Sequence, residues 1–226
     1  MEEALVVSLF DRTGNWPRPW AEDRASNHAV LTVDQAGVPE GFGYPGRIHV
    51  EVDLSNPLTY DTIMRLVSQA GWEARRRVLL IAVPCTDFAA SGARYFKEKD
   101  ADGRTQASVA LVRAALRFKS QFIRPGTSDI WVLENPVGRI AKLVPELGPY
   151  SLIFNPCDYG GYLNPPGDDY TKRTCLWGNF TRPPFKPVNP TKGSMILKWG
   201  VSSDRTKFER SKTPLGFARA FYAVNR

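Results

Sequence analysis

Cys85 is the residue in this chain whose setting best suits covalent chemistry. It follows Pro84, precedes Thr86-Asp87, and stands where the apolar run 77–83 opens into a polar loop, a position that fits an exposed thiol nucleophile. A cysteine taken at random is more often a buried structural thiol. Glu134 shifts that balance. It ends the next strand-like run within Glu134-Asn135-Pro136, and if the two strands are neighbours its carboxyl group lies close to Cys85. Partial burial then raises its pKa toward a value useful for giving a proton.

The elements that must position this pair are legible as apolar runs with polar breaks. Residues 4–10, 29–34, 48–53, 77–83 and 128–133 read as strands, and 59–73, 107–122 and part of 137–147 as helices with an apolar face. Strands alternating with helices predict an α/β fold whose mostly parallel sheet is covered on both faces. Ligands bind such sheets beyond the carboxyl ends of the strands, so Phe10, Asp34, Asp53, Cys85 and Glu134 are expected to share one rim. After residue 150 proline, glycine and aromatic residues become dense, and 150–155 and 174–177 alone read as strands. With no polar linker, 1–226 is expected to be one domain: a core over 1–149, then strands and long loops over 150–226.

Composition narrows the class. The chain has 226 residues, 42% hydrophobic and 23% charged, which excludes wholesale disorder, a collagen and a disulfide-dense scaffold. Thirty Lys and Arg against twenty-three Asp and Glu give a net charge of +7, a tilt toward a polyanionic partner. The basic residues are dispersed, and Arg75-Arg76-Arg77 reads as a solvated helix end. Trp16, Trp20, Trp177 and Trp199 could stack on bases, although aromatic residues in such regions are more often packing anchors. Three cysteines, an odd number, and an acidic start whose apolar run breaks at Asp11 point to a cytoplasmic protein. No apolar stretch suits a membrane span. His28 and His49 lie far apart without cysteine spacing around them, so no metal site is expected, and there is no P-loop.

In order along the chain, Ser-Leu-Phe-Asp-Arg-Thr-Gly at 8–14, Pro-Cys-Thr-Asp-Phe-Ala-Ala-Ser-Gly at 84–92 and Glu-Asn-Pro at 134–136 resemble the DNA cytosine-5 methyltransferase family, in particular its compact phage and bacterial members. The resemblance covers the first 140 residues or so. Tyr170-Thr171-Lys172-Arg173-Thr174 and Arg210-Ser211-Lys212-Thr213-Pro214 are weaker echoes of later motifs. It implies a Rossmann-like S-adenosylmethionine-dependent fold with a small C-terminal extension rich in proline and glycine. It also implies Cys85 as the nucleophile that adds to C6 of cytosine and Glu134 as the acid that stabilises the N3-protonated ring. Pro84, Thr86, Asn135 and Pro136 would shape the acceptor site, and Arg173, or Lys172 beside it, would support the base or a phosphate.

For the methyl donor, S-adenosylmethionine, the resemblance implies the loop Phe10-Asp11-Arg12-Thr13-Gly14, with Phe10 against the adenine and Gly14 near the methionine part. Asp34 and Asp53 would bind the ribose hydroxyls and the adenine amine. Arg12 stands where the family has its first glycine, Val83 replaces a proline and Thr86 a glutamine. Between Trp177 and Arg210 only about thirty residues replace the family's target-recognition domain, so sequence-specific reading of duplex DNA is not expected. DNA remains the first expectation as acceptor. A free cytosine nucleotide is the alternative, and a catalytically silent nucleic-acid-binding or host-interaction protein on the same fold is the rival from another class.

Overall fold

The computed structural model describes residues 3–194 and 204–226; Trp199 lies outside them. Seven strands form one sheet: β1 (Ala4–Leu9), β2 (Ala29–Asp34), β3 (Arg47–Glu51), β4 (Arg76–Ile81), β5 (Ile130–Pro136), β6 (Leu152–Phe154) and β7 (Thr174–Gly178). Their spatial order is β3-β2-β1-β4-β5-β7-β6. The first five run parallel, whereas β7 is antiparallel to both β5 and β6. This is a mixed α/β fold with a mostly parallel sheet, compatible with a Rossmann-like architecture. It departs from the order 3-2-1-4-5-6 only by the antiparallel strand between β5 and β6.

Central strands of such a sheet are buried on both faces and read as continuous apolar runs. Every residue of β1 is buried. Leu5, Val7 and Leu9 enter the cluster on one face, while Ala4 and Val6 enter the cluster on the other. The first cluster is covered by α2 (Leu58–Gln69), through Tyr60, Ile63 and Val67, and by α4 (Arg104–Phe122), through Val112, Phe118 and Phe122. The second is covered by α1 (Arg18–Glu22), through Trp20, and by the last helix, α7 (Leu215–Asn225), whose Phe217 and Phe221 meet Trp16. Trp16, Trp20 and Trp177 are thus packing anchors, each 3% exposed or less.

Three expectations need correction. The C-terminal part is more than strands and loops, because α6 (Asp204–Ser211) and α7 are helical. In α7 the pairs Phe217 with Phe221 and Gly216 with Ala220 repeat at helical spacing on its buried side. The helix expected over 107–122 begins earlier, as α4 at Arg104, and is preceded by a further helix, α3 (Phe96–Ala101), whose Lys99 is buried. The arginine run is no solvated helix end: Arg76 and Arg77 open β4 and are buried. Their guanidinium groups donate to the carbonyls of Ser128, Asn225 and Phe122.

A candidate active site at the carboxyl ends of the strands

The loop after β1 is bent sharply. Phe10 has φ 60°, a left-handed conformation that bulky residues rarely adopt, and its amide donates to the Val33 carbonyl at 2.8 Å. Asp11 is buried and closes the turn: its carboxylate accepts from Ser8 Oγ (2.8 Å), Thr13 Oγ1 (3.1 Å) and the Gly14 amide (2.7 Å). Burial pushes its pKa up against those hydrogen bonds. Gly14 has φ +66°, and a Cβ there would stand 2.8 Å from both the Arg47 guanidinium and the Tyr44 hydroxyl, so only glycine fits.

On the far side of β4, the chain continues through Val83 and Pro84 to Cys85. The Asn135 amide donates to the Val83 carbonyl at 3.1 Å, which holds β5 against this segment. The β4–β5 pairing, Val78 with Ile130 through Ile81 with Leu133, makes the two strands neighbours, the condition on which the Cys85–Glu134 pairing rested. Beyond Cys85 the loop is tied down from several directions. Asp87 pairs with Lys99 (3.0 Å) and accepts from Ser108 (2.6 Å). Arg139 donates to the Asp87 carbonyl (2.9 Å) and to Asp100 and Thr105, both at 2.8 Å. Gly138 passes so close that a Cβ would lie 1.9 Å from the Phe88 carbonyl.

These segments wall one cleft of about 1100 Å³. Phe10, Asp11, Thr13, Asp34, Asp53, Pro84, Cys85, Thr86, Glu134, Pro136 and Lys172 all line it. Gly14 and Asn135 stand behind it, as loop and strand supports. Arg173 is exposed and absent from the lining, and its carbonyl accepts from the Val137 amide at 3.0 Å. In the alternating strand-like run into β7 it is Lys172 that faces Glu134, 3.8 Å away, while donating to the Arg210 carbonyl at 2.9 Å.

Electrostatics divide the cleft. Glu134 is pushed up by burial, with Lys172 opposing and Asp11 reinforcing the shift. Burial also pushes the Cys85 thiol up; Lys172 and Arg210 pull it down, and Glu134 pushes it further up. Cys85 and Glu134 are therefore both held toward their protonated forms, with the charges of Lys172 and Arg210 acting on the thiol. On the other side Asp34, also pushed up by burial, uses one oxygen for the Ala36 amide (3.0 Å). Its second oxygen has no partner among the described residues. Asp53 accepts from the Ser55 amide and hydroxyl, both at 2.8 Å, and these bonds lower its pKa.

The residues that the sequence did not announce are the supports: Tyr44 and Arg47 behind the first loop, Lys99 and Arg139 behind the second, and the Arg210 side chain, which donates to Ser91 at 3.0 Å. Arg12, in the place of a family glycine, is exposed, and its Nε donates to the Gly37 carbonyl at 2.9 Å. Among the described residues no group of three or more His, Cys, Asp or Glu is placed to hold a metal, and no helix is long and apolar enough to cross a membrane. Compared with known proteins, the chain matches no family model and no curated protein.

Proposed function

We propose that this protein is an S-adenosylmethionine-dependent methyltransferase acting on C5 of cytosine, with DNA as the first acceptor class. The observation that carries the reading is the single cleft in which Cys85, Glu134 and Lys172 meet the Phe10–Gly14 loop, Asp34 and Asp53. The donor set fits the cofactor: an aromatic ring at Phe10, a tight loop with backbone to offer, and carboxylates at the ends of β2 and β3 for hydroxyl and amine donors. When bound, S-adenosylmethionine supplies an electrophilic methyl group.

The chain's own residues activate the acceptor. Cys85 Sγ forms a bond to C6 as its thiol proton passes to solvent in the open cleft, and Glu134 holds a proton at N3 so that the electron pair pushed into the ring does not build an exposed negative charge. Lys172 favours the thiolate by charge and keeps the glutamate in place. Once C5 carries the methyl group, transfer of the C5 proton to solvent returns the electron pair that expels the Cys85 thiolate.

A second acceptor, a free cytosine nucleotide, is supported by a separate observation. Part of the short segment between Trp177 and Arg210, where the family carries its recognition domain, is tied to the turn 156–162: the Lys186 amide donates to the Asp158 carbonyl, the Gly161 amide to the Lys186 carbonyl and the Val188 amide to the Cys157 carbonyl, each at 2.9 Å. Transfer of a labelled methyl group to duplex DNA, single-stranded DNA, RNA and cytosine nucleotides tests both readings. Label on one acceptor, lost with Cys85→Ala, is the expected result and names the substrate. No label from folded protein would leave the silent binding protein as the better account.

A further inference from the structure

We infer that Arg47 is a positioning residue that shapes the loop after β1 into a receptor for the carboxylate of the methyl donor's amino-acid part, an inference that rests on the function proposed above. Arg47 opens β3 and is half-buried. Its Nε donates to Thr32 Oγ1 at 2.8 Å. Nη1 donates to the carbonyls of Thr13 (3.0 Å) and Phe42 (3.1 Å), and Nη2 to those of Arg12 (2.7 Å) and Asp11 (3.4 Å). Three successive peptide carbonyls, 11, 12 and 13, thus converge on one planar fork. Lysine, a point charge with no fork, could not gather them in this way.

The consequence follows from peptide geometry. In a trans peptide the carbonyl and the next residue's N–H point in opposite directions, so the amides of Arg12, Thr13 and Gly14 face away from the guanidinium. That of Gly14 is taken by the Asp11 carboxylate at 2.7 Å. Those of Arg12 and Thr13 have no partner among the described residues, and both residues line the cleft. Adjacent free amides in a tight turn form a concave site for an anion. The carboxyl groups on the same wall, Asp11, Asp34 and Asp53, repel one. A zwitterionic amino acid is suited to both, its carboxylate on the amides and its ammonium toward the acids.

Calorimetric titration of wild type and Arg47→Lys with S-adenosylhomocysteine and with 5′-methylthioadenosine, which lacks the amino-acid part, tests the assignment. The expected result is that Arg47→Lys binds S-adenosylhomocysteine at least tenfold more weakly while its affinity for methylthioadenosine stays within about twofold of wild type. Equal weakening for both ligands, or for neither, overturns the inference and leaves Arg47 a support of the fold alone. Thermal unfolding checks that the variant is folded, and Arg47→Gln, which keeps donors for part of the set, is the second variant if it is not. Wild type that binds neither ligand would overturn the donor reading itself, a result distinct from failure of the Arg47 assignment.

Discussion

The two ends of the sheet treat buried charge in opposite ways. At the amino ends, Asp129 accepts from the Arg77 amide (2.8 Å), the Arg124 amide (3.0 Å) and two Arg124 guanidinium nitrogens (2.8 and 2.9 Å). Burial opposes its ionisation, yet these bonds outweigh burial and bring its pKa down to about 2. At the carboxyl ends, Glu134 has one cation at 3.8 Å and is pushed up. A carboxylate with full partners stabilises the fold, whereas one with too few remains available to exchange a proton. A buried carboxyl group is therefore held ionised at one end of the sheet and toward its protonated form at the other.

The largest effect expected is on turnover at the carboxyl end. Cys85→Ala or Glu134→Gln should lower methyl transfer by at least about 10³-fold, about 4 kcal/mol of transition-state stabilisation, with an unchanged circular dichroism spectrum. Glu134→Gln also tests the comparison through stability. Because the folded pKa of Glu134 is raised, wild-type stability falls as pH rises from the unfolded carboxylate value, about 4.3, through the folded one. The variant should lose that slope in pH-dependent thermal melts. A loss of stability at neutral pH like that from an amino-end variant would break the contrast between the two ends.

At the amino end the expectation is reversed. Asp129→Ala should cost about 3 kcal/mol in urea unfolding, because it removes the acceptor of the Arg77 amide, the Arg124 amide and two guanidinium hydrogen bonds of Arg124. Its kcat, measured on folded protein, should stay near wild type if methyl transfer is the activity. The acid limb offers a smaller check. With a folded pKa near 2, Asp129 contributes stability that is present above its unfolded value of about 3.9 and lost as pH falls through 2. That contribution is about 2 kcal/mol, so the difference between wild type and Asp129→Ala should shrink by roughly that amount between pH 5 and 2.

The smallest effect sharpens the account of the thiol. Lys172→Met removes the cation that pulls the Cys85 pKa down most. The midpoint for alkylation of Cys85 by iodoacetamide should move to higher pH, with the rate at pH 8 falling several-fold. Cys157 and Cys175 are buried, and Cys85→Ala supplies the background rate. An unchanged profile would remove Lys172 from the thiol's electrostatics.

Much of the fold was legible because its signals are local. Apolar runs between polar breaks gave β1, β2 and β4 to within a few residues, and the spacing of Ile63, Val67 and their neighbours gave α2. Elsewhere the signal was mixed. Glu134-Asn135-Pro136 reads as a loop, yet it lies within β5, because β7 supplies an antiparallel partner across it. α3 is polar in composition, and what ties Lys99 down is its pairing with Asp87 and Thr86 on the loop after β4 rather than any apolar face.

The sequence by itself determined which residues end the strands, and parallel topology then sends strand ends to one rim, so Phe10, Asp34, Asp53, Cys85 and Glu134 could be grouped from local pattern alone. Only the tertiary structure decided which cations serve them. It chose Lys172 over the adjacent Arg173, because successive residues of an extended chain face opposite ways. It recruited Arg47 to Thr13 across 34 positions and Arg139 to Asp87 across 52. Those arginines bind backbone carbonyls, which every residue carries, so no residue type at the receiving end marks the contact. Such pairings are fixed by how the elements pack.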